Sequence, residues 1–181
     1  MITDRDIEVI NYLDRFKVAS TTTISSLFYP SLRTAQKRLK TLVEDKAIKR
    51  TREYYNTDYI YYTKKPKQIR HKLLLTEFHR ELSRIATIVH IDSEVDHGPV
   101  ISDGFVAFRY RGKNLISLIE VQQGPWRGKM SSYKKFMLSG NFKQFYPVFP
   151  LIFAISDKKV ECEGLKIIQV KEDLSKLFSY P

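Results

Sequence analysis

Cysteine is almost missing from this chain: Cys162 is the only one in 181 residues. An internal disulfide is therefore excluded, and a reducing cytosol is the expected setting. Long apolar runs are missing too. No stretch approaches the roughly 18 residues that a membrane-spanning helix needs. The opening residues, MITDRDIEVI, carry acids where a secretory signal carries a basic segment. The expected location is cytoplasmic, with no membrane partner. The four histidines (His71, His79, His90 and His97) include no i, i+4 pair, which argues against zinc. Neither a Gly-rich phosphate loop nor a Ser-centred nucleophile motif is found, and there are no internal repeats or low-complexity segments.

Basic residues, by contrast, are abundant. The net charge is +11, with 43% hydrophobic and 28% charged residues, so the chain reads as a folded protein attracted to polyanions. The excess is uneven. Residues 1–72 hold 16 Lys and Arg against 8 Asp and Glu, whereas the remainder holds 15 against 12. Nucleic acid is thus the expected partner, met chiefly by the first part of the chain.

Helix signals come first. Thr3 with Asp6 three residues later resembles a capping box. Ile7, Ile10, Leu13 and Phe16 then predict an apolar helical stripe. Ser20 or Thr21 opens a second short helix through Ile24, Leu27 and Phe28, which Pro30 stops. Ser31 caps a third helix over about 31–45, with Leu32, Ala35, Leu39, Leu42 and Val43 as its apolar face. Arg33, Gln36, Lys37 and Lys40 lie mainly on its other side. Residues 31–52 also contain Arg38, Lys46, Lys49, Arg50 and Arg52 against only Glu44 and Asp45. Residues 54–63, YYNTDYIYYT, predict a hairpin turning at Asn56-Thr57-Asp58.

Three helices followed by a hairpin is the order of a winged helix-turn-helix. That order sets the basic charge where phosphates meet a recognition helix and wing. The expected DNA-binding residues are Arg33, Gln36, Lys37, Lys40, Lys49, Arg50 and Arg52. The tyrosines of the wing serve equally well as packing.

Pro66, in Lys64-Lys65-Pro66-Lys67, marks the expected boundary between domains 1–66 and 67–181. A long helix over about 69–89 follows, carrying Leu74, Leu75, Phe78, Leu82, Ile85 and Val89. Segments 105–110 and 115–121 flank Arg111-Gly112-Lys113-Asn114 and predict a second hairpin. A helix over 130–138, a buried strand over 148–155, a strand over 166–170 and a short helix over 172–178 complete the chain. The expected fold class is α+β, a winged helix-turn-helix followed by an α/β domain with a mixed sheet.

Asp103 enters one strand of the second half and Glu120 ends the next, in Glu120-Val121-Gln122. This order resembles the PD-(D/E)XK nuclease core. The resemblance implies that Asp103 and Glu120 bind a divalent metal, Mg²⁺ or Mn²⁺, and that the residue two after the Glu orients the attacking water. Here Gln122 holds that place, so Asp103, Glu120 and Gln122 are the expected catalytic set, without the usual lysine charge. Lys129, Lys134 and Lys135 are the candidate substitutes. Glu77 or Glu81, at i and i+4 on the long helix, would complete the metal set.

The chain as a whole also resembles the replication-relaxation family of plasmids and other bacterial mobile elements. That resemblance is carried by Thr3-Asp4-Arg5-Asp6 through Leu42, including Leu27-Phe28-Tyr29-Pro30 and Arg38-Leu39. It is carried again by Asp103-Gly104, Glu120-Val121-Gln122, Tyr133 and Phe149-Pro150-Leu151-Ile152-Phe153. It implies a winged-helix domain joined to a nuclease-like domain. It implies, more loosely, a role in replication or transfer of a plasmid, phage or other mobile element.

Three functions follow as expectations. One is a sequence-specific binder of double-stranded DNA, working with replication or transfer proteins and as a monomer or homodimer. The second is a metal-dependent endonuclease or nickase with a degenerate site. The third is a transcription regulator whose C-terminal half senses a ligand or dimerises. A groove lined by Asp103 and Glu120 would favour the second, and an apolar cavity the third.

Overall fold

The computed structural model describes residues 2–54, 57–126, 128–175 and 177. The chain is α+β and divides into two compact units, residues 1–80 and 81–181. Among the described residues no helix is long and apolar enough to cross a membrane.

The first unit begins with α1 (Asp4–Phe16), where the capping box forms in both directions. The Thr3 hydroxyl accepts the Asp6 N–H and the Asp6 carboxylate accepts the Thr3 N–H. Its buried face is Asp6, Val9, Tyr12, Leu13 and Phe16, whereas Ile7 is 48% exposed. The expected stripe is therefore right at Leu13 and Phe16 and turned too far at Ile7. A charged residue at a buried position, Asp6, is what hydropathy alone misses.

Next comes β1 (Ala19–Ser20), then α2 (Thr21–Phe28) and, after three residues, α3 (Leu32–Glu44). Ser20 caps α2 by accepting the Thr23 N–H, and Ser31 caps α3 by accepting the Thr34 N–H. Ala35, Leu39 and Leu42 of α3 are fully buried, while Leu32 is 47% exposed and leaves the expected apolar face. Truncating Leu39 to Ala here costs about 2–5 kcal/mol, the range for a filled core site.

The hairpin lies earlier than 54–63. It joins β2 (Lys49–Thr51) to β3 (Ile60–Tyr62), and β3 also pairs with β1, so the small sheet runs β1-β3-β2, all antiparallel. Tyr61 and Tyr62 are buried in it, so these two tyrosines pack the sheet. Asn56 of the expected turn lies outside the described residues. The arm returning to β3 is tied to the start of α2. The Tyr59 carbonyl accepts the Thr21 N–H and the Asp58 carboxylate accepts the Thr22 N–H.

Helix α4 (Ile69–Ser83) ends six residues short of the expected 89. Ile69 and Leu73 pack on Val18, Ile60 and Tyr62 of the first unit. The His79 Nδ1 meets the Tyr12 hydroxyl at 3.0 Å. This packing carries the first unit to Arg80, within α4, past Pro66.

The second unit is built on a five-stranded sheet, β4-β5-β6-β7-β8. Strand β4 (Thr87–Asp96) is the one the sequence reading missed. β5 (Ile101–Tyr110) and β6 (Lys113–Val121) complete an antiparallel meander. Their turn is only Arg111-Gly112, both at positive φ (47° and 76°), as a tight two-residue hairpin turn requires. Helix α5 (Lys129–Leu138) and a 3₁₀ turn (Asn141–Gln144) then lead to β7 (Leu151–Ile155) and β8 (Ile167–Val170), each parallel to the strand before it in the sheet. Tyr133, Phe136 and Met130 of α5 bury against Leu118, Ile152 and Ala154. No helix forms over 172–175, where Leu174 has φ 58°.

Candidate functional site

In the first unit, α3 buries one side and exposes the other. Arg33, Gln36, Lys37 and Lys40 are all exposed, as are Lys49 and Arg50 of β2. Lys40 lies 3.7 Å from Glu44, a solvent-facing i, i+4 pair worth little. Arg38 behaves differently. Its guanidinium grips the buried Asp6 carboxylate, with Nε 3.2 Å from Oδ1 and an Nη on Oδ2. Arg38 thus belongs to the internal frame of the basic segment, not to its outer face. Burial pushes the Asp6 carboxyl up, but Arg38 and the Thr3 N–H and hydroxyl outweigh it and hold the pKa at about 2.

Arg50 and Arg52 converge on one ring. Their guanidinium carbons stand 4.1 Å and 3.7 Å from the Tyr59 ring centroid. Arg52 stands opposite Tyr59 across the hairpin, by continuation of the Thr51–Ile60 register. Sequence reading named both arginines but did not pair them with Tyr59, because the aromatic partner is set by cross-strand register and not by spacing along the chain.

In the second unit, β5 and β6 bring Asp103 and Glu120 together. Gly104 pairs with Ile119, so Asp103 and Glu120 are neighbours on one face of the sheet. The Asp103 Oδ2 accepts the Val121 N–H at 2.8 Å. Glu120 is 3% exposed and sits against Ala154, whose small side chain leaves it room. The Tyr133 hydroxyl donates to Glu120 Oε1, and Lys129 Nζ lies 3.3 Å from Oε2 while donating to the Ile101 carbonyl at 2.7 Å. Burial and then the Asp103 charge raise the Glu120 pKa to about 8, against the opposing pull of Tyr133 and Lys129. Burial and the Glu120 charge push the Tyr133 hydroxyl far above its ordinary value, so it acts only as a donor.

Gln122 is engaged elsewhere. Its side-chain amide donates to the Pro125 carbonyl at 3.0 Å, and its main-chain carbonyl accepts the Ser156 hydroxyl at 2.6 Å. Of the three candidate lysines, Lys129 reaches Glu120. Glu81 is ion-paired with Arg84 at 3.1 Å, and Glu77 borders a polar recess of the first unit with Thr22, Asp58 and Arg80. Among the described residues no three His, Cys, Asp or Glu side chains form a group able to hold a metal ion.

The donor set does not fit a divalent cation as arranged. Both oxygens of Glu120 already carry protein donors, one of them an ammonium. A metal would have to displace Lys129 and repel its charge. What the cluster does chemically is favour a proton on Glu120, with a lysine cation and the Asp103 carboxyl close by.

The chain matches no family model, no curated protein and no solved structure.

Proposed function

We propose that this chain binds double-stranded DNA through residues 1–66, on the plan of a winged helix-turn-helix, with α3 as the recognition helix and the β2–β3 hairpin as the wing. The single observation that carries this reading is the division of labour on α3. Ala35, Leu39 and Leu42 anchor the helix in the core, while Arg33, Gln36, Lys37 and Lys40 stand exposed together, continued by Lys49 and Arg50 on the hairpin. Long polar side chains on a rigid, capped helix suit base edges in the major groove. Cations on the adjoining strand suit phosphates. The resemblance to the replication-relaxation family extends the proposal to replication or transfer of a plasmid, phage or other mobile element, with residues 67–181 as a PD-(D/E)XK-like module. The test is selection from a random duplex pool by the full chain, followed by sequencing, with and without Mg²⁺ or Mn²⁺. Recovery of an enriched motif supports the reading, and recovery of unenriched pool at every salt concentration rejects it.

A second reading, a regulator that senses a small ligand, is favoured by one observation. An apolar cavity of about 340 Å³ in the second unit is lined by Leu82, Ile85, Phe108, Leu115 and Phe153, with Arg111 and Lys113 at its border. That size and lining suit a small amphipathic anion. A thermal-shift screen of medium-chain and aryl carboxylates tests it. If none raises the melting temperature, the sensing role is dropped.

A further inference from the structure

The Arg50–Tyr59–Arg52 cluster is more than three neighbours on a hairpin. Two guanidiniums within 4.1 Å and 3.7 Å of one ring centroid share a single aromatic platform. The ring's negative face attracts each cation. A guanidinium laid flat on a ring can still donate through its in-plane N–H groups. Arg50 also faces Tyr61 directly across the β2–β3 pair. The platform itself is bolted down. The Tyr59 carbonyl accepts both the N–H and the hydroxyl of Thr21, at 2.9 Å and 3.2 Å, and the Asp58 carboxylate beside it accepts the N–H and hydroxyl of Thr22.

We infer that Tyr59 makes Arg50 and Arg52 into one preorganised clamp for the phosphodiester backbone of duplex DNA. This rests on the duplex-binding reading above and adds the residue that positions the wing's cations. A flexible arginine must give up rotamer freedom on meeting a phosphate, and an arginine already held on a ring has given it up beforehand. The two guanidiniums then act as a unit: they lie within about 8 Å of each other, close enough for one backbone segment to satisfy both. Tyr59 is a positioning residue, and the arginines make the contacts.

The experiment uses the full chain and a labelled duplex of random sequence, followed by fluorescence anisotropy across a salt series. Replacing both arginines, R50A with R52A, should flatten the slope of log affinity against log salt by about 2, because each phosphate contact contributes about 0.9. Tyr59→Phe keeps the ring and should bind as the wild type does. Tyr59→Leu should lose roughly as much affinity as one arginine, with a flatter slope. The loss in the double arginine variant should be smaller than the two single losses added, since removing either partner loosens the clamp. A readout in the free protein accompanies this: the Arg50 and Arg52 Nε–H protons should be shifted upfield by the ring in the wild type and not in Tyr59→Leu. If the wild type fails to bind duplex, the DNA reading falls and the clamp with it. If the wild type binds, but Tyr59→Leu keeps the full slope and the arginine losses add, the clamp alone is overturned. Arg50 is exposed and Arg52 only half-buried, so the arginine variants fold and the additivity result stands even if Tyr59→Leu does not fold.

Discussion

Arg38 of α3 grips the fully buried carboxylate of Asp6 on α1, and the same carboxylate accepts the Thr3 N–H at 2.8 Å and the Tyr29 hydroxyl at 3.3 Å. One acid therefore fixes the start of α1, the link before α3 and the middle of α3. The angle at which the exposed face of α3 is offered depends on this junction.

Asp6→Ala should accordingly be among the costliest polar substitutions in the first unit. It leaves Arg38 without its main partner and removes the carboxylate half of the capping box, for about 3–5 kcal/mol by the usual cost of breaking a buried pair. The pH signature is specific. Folding lowers the carboxyl from 3.8 to about 2, so its contribution of about 2 kcal/mol is present above pH 4 and lost as pH falls toward 2. Melting curves should show this acid-side loss in the wild type and not in Asp6→Asn.

Base reading and phosphate holding should separate by residue. Gln36→Ala is expected to relax sequence preference more than total affinity, since an amide reads adenine edges. Lys49→Ala should weaken specific and random duplexes about equally and flatten the salt slope by about 1. Competition binding with both duplexes measures this. Equal losses on both duplexes for Gln36→Ala would remove base reading from α3.

Glu120 predicts a second pH dependence of opposite sign. Its carboxyl rises from 4.5 to about 8 on folding, so the folded state binds the proton more tightly. Stability from this group is full below pH 4.5, declines as pH rises, and levels off above pH 8. Glu120→Gln, which resembles the protonated form, should melt at or above the wild-type temperature at pH 8 and flatten the profile. A Glu120→Gln protein that is far less stable at pH 8 would contradict the raised pKa.

Lys129 should decide how the second unit treats metals. Mn²⁺ is expected to move the wild-type melting temperature by less than about 1 °C, because its place beside Glu120 is held by an ammonium. Lys129→Met should gain an Mn²⁺-dependent rise, abolished by Asp103→Asn. A clear rise in the wild type, lost in Asp103→Asn and Glu120→Gln and joined by nicking of supercoiled plasmid, would restore the metal-dependent nuclease reading.

The turn between β5 and β6 offers a stability gain. Arg111 holds φ 47°, a left-handed conformation that costs a non-glycine residue energy. Arg111→Asn or Arg111→Gly should raise stability by about 0.5–1 kcal/mol, measured by denaturant melting. Loss of stability would mean that the Arg111 contact with the Tyr110 ring, at 5.2 Å, outweighs the backbone relief.

Much of the first unit was legible because its signals are local. Thr3, Ser20 and Ser31 each cap the helix that their position announced. The hairpin was misplaced because Lys49-Arg50-Thr51 carries little strand propensity and forms only against Ile60–Tyr62. Strand β4 was hidden by Ile85 and Val89, which continue the helical spacing from Leu82, and Val89 is in fact 67% exposed on a strand. In the second unit, strand alternation was enough to bring Asp103 and Glu120 together. That Lys129 and Tyr133 take the two oxygens of Glu120 was not legible, because it depends on how α5 closes over the sheet.

The first three amides of α2 are all spoken for: Thr21 by the Tyr59 carbonyl, Thr22 by Asp58 and Thr23 by Ser20. Such amides, free at most helix starts, welcome a phosphate. Here the hairpin arm and Ser20 have taken that vacancy, so α2 has little to offer an anion, and on the duplex-binding proposal phosphate contacts would fall to α3 and the hairpin itself. The same bonds weld the hairpin arm to α2. Hydrogen exchange at Thr21 and Thr22 should then proceed only when helix and hairpin open together, as one cooperative block.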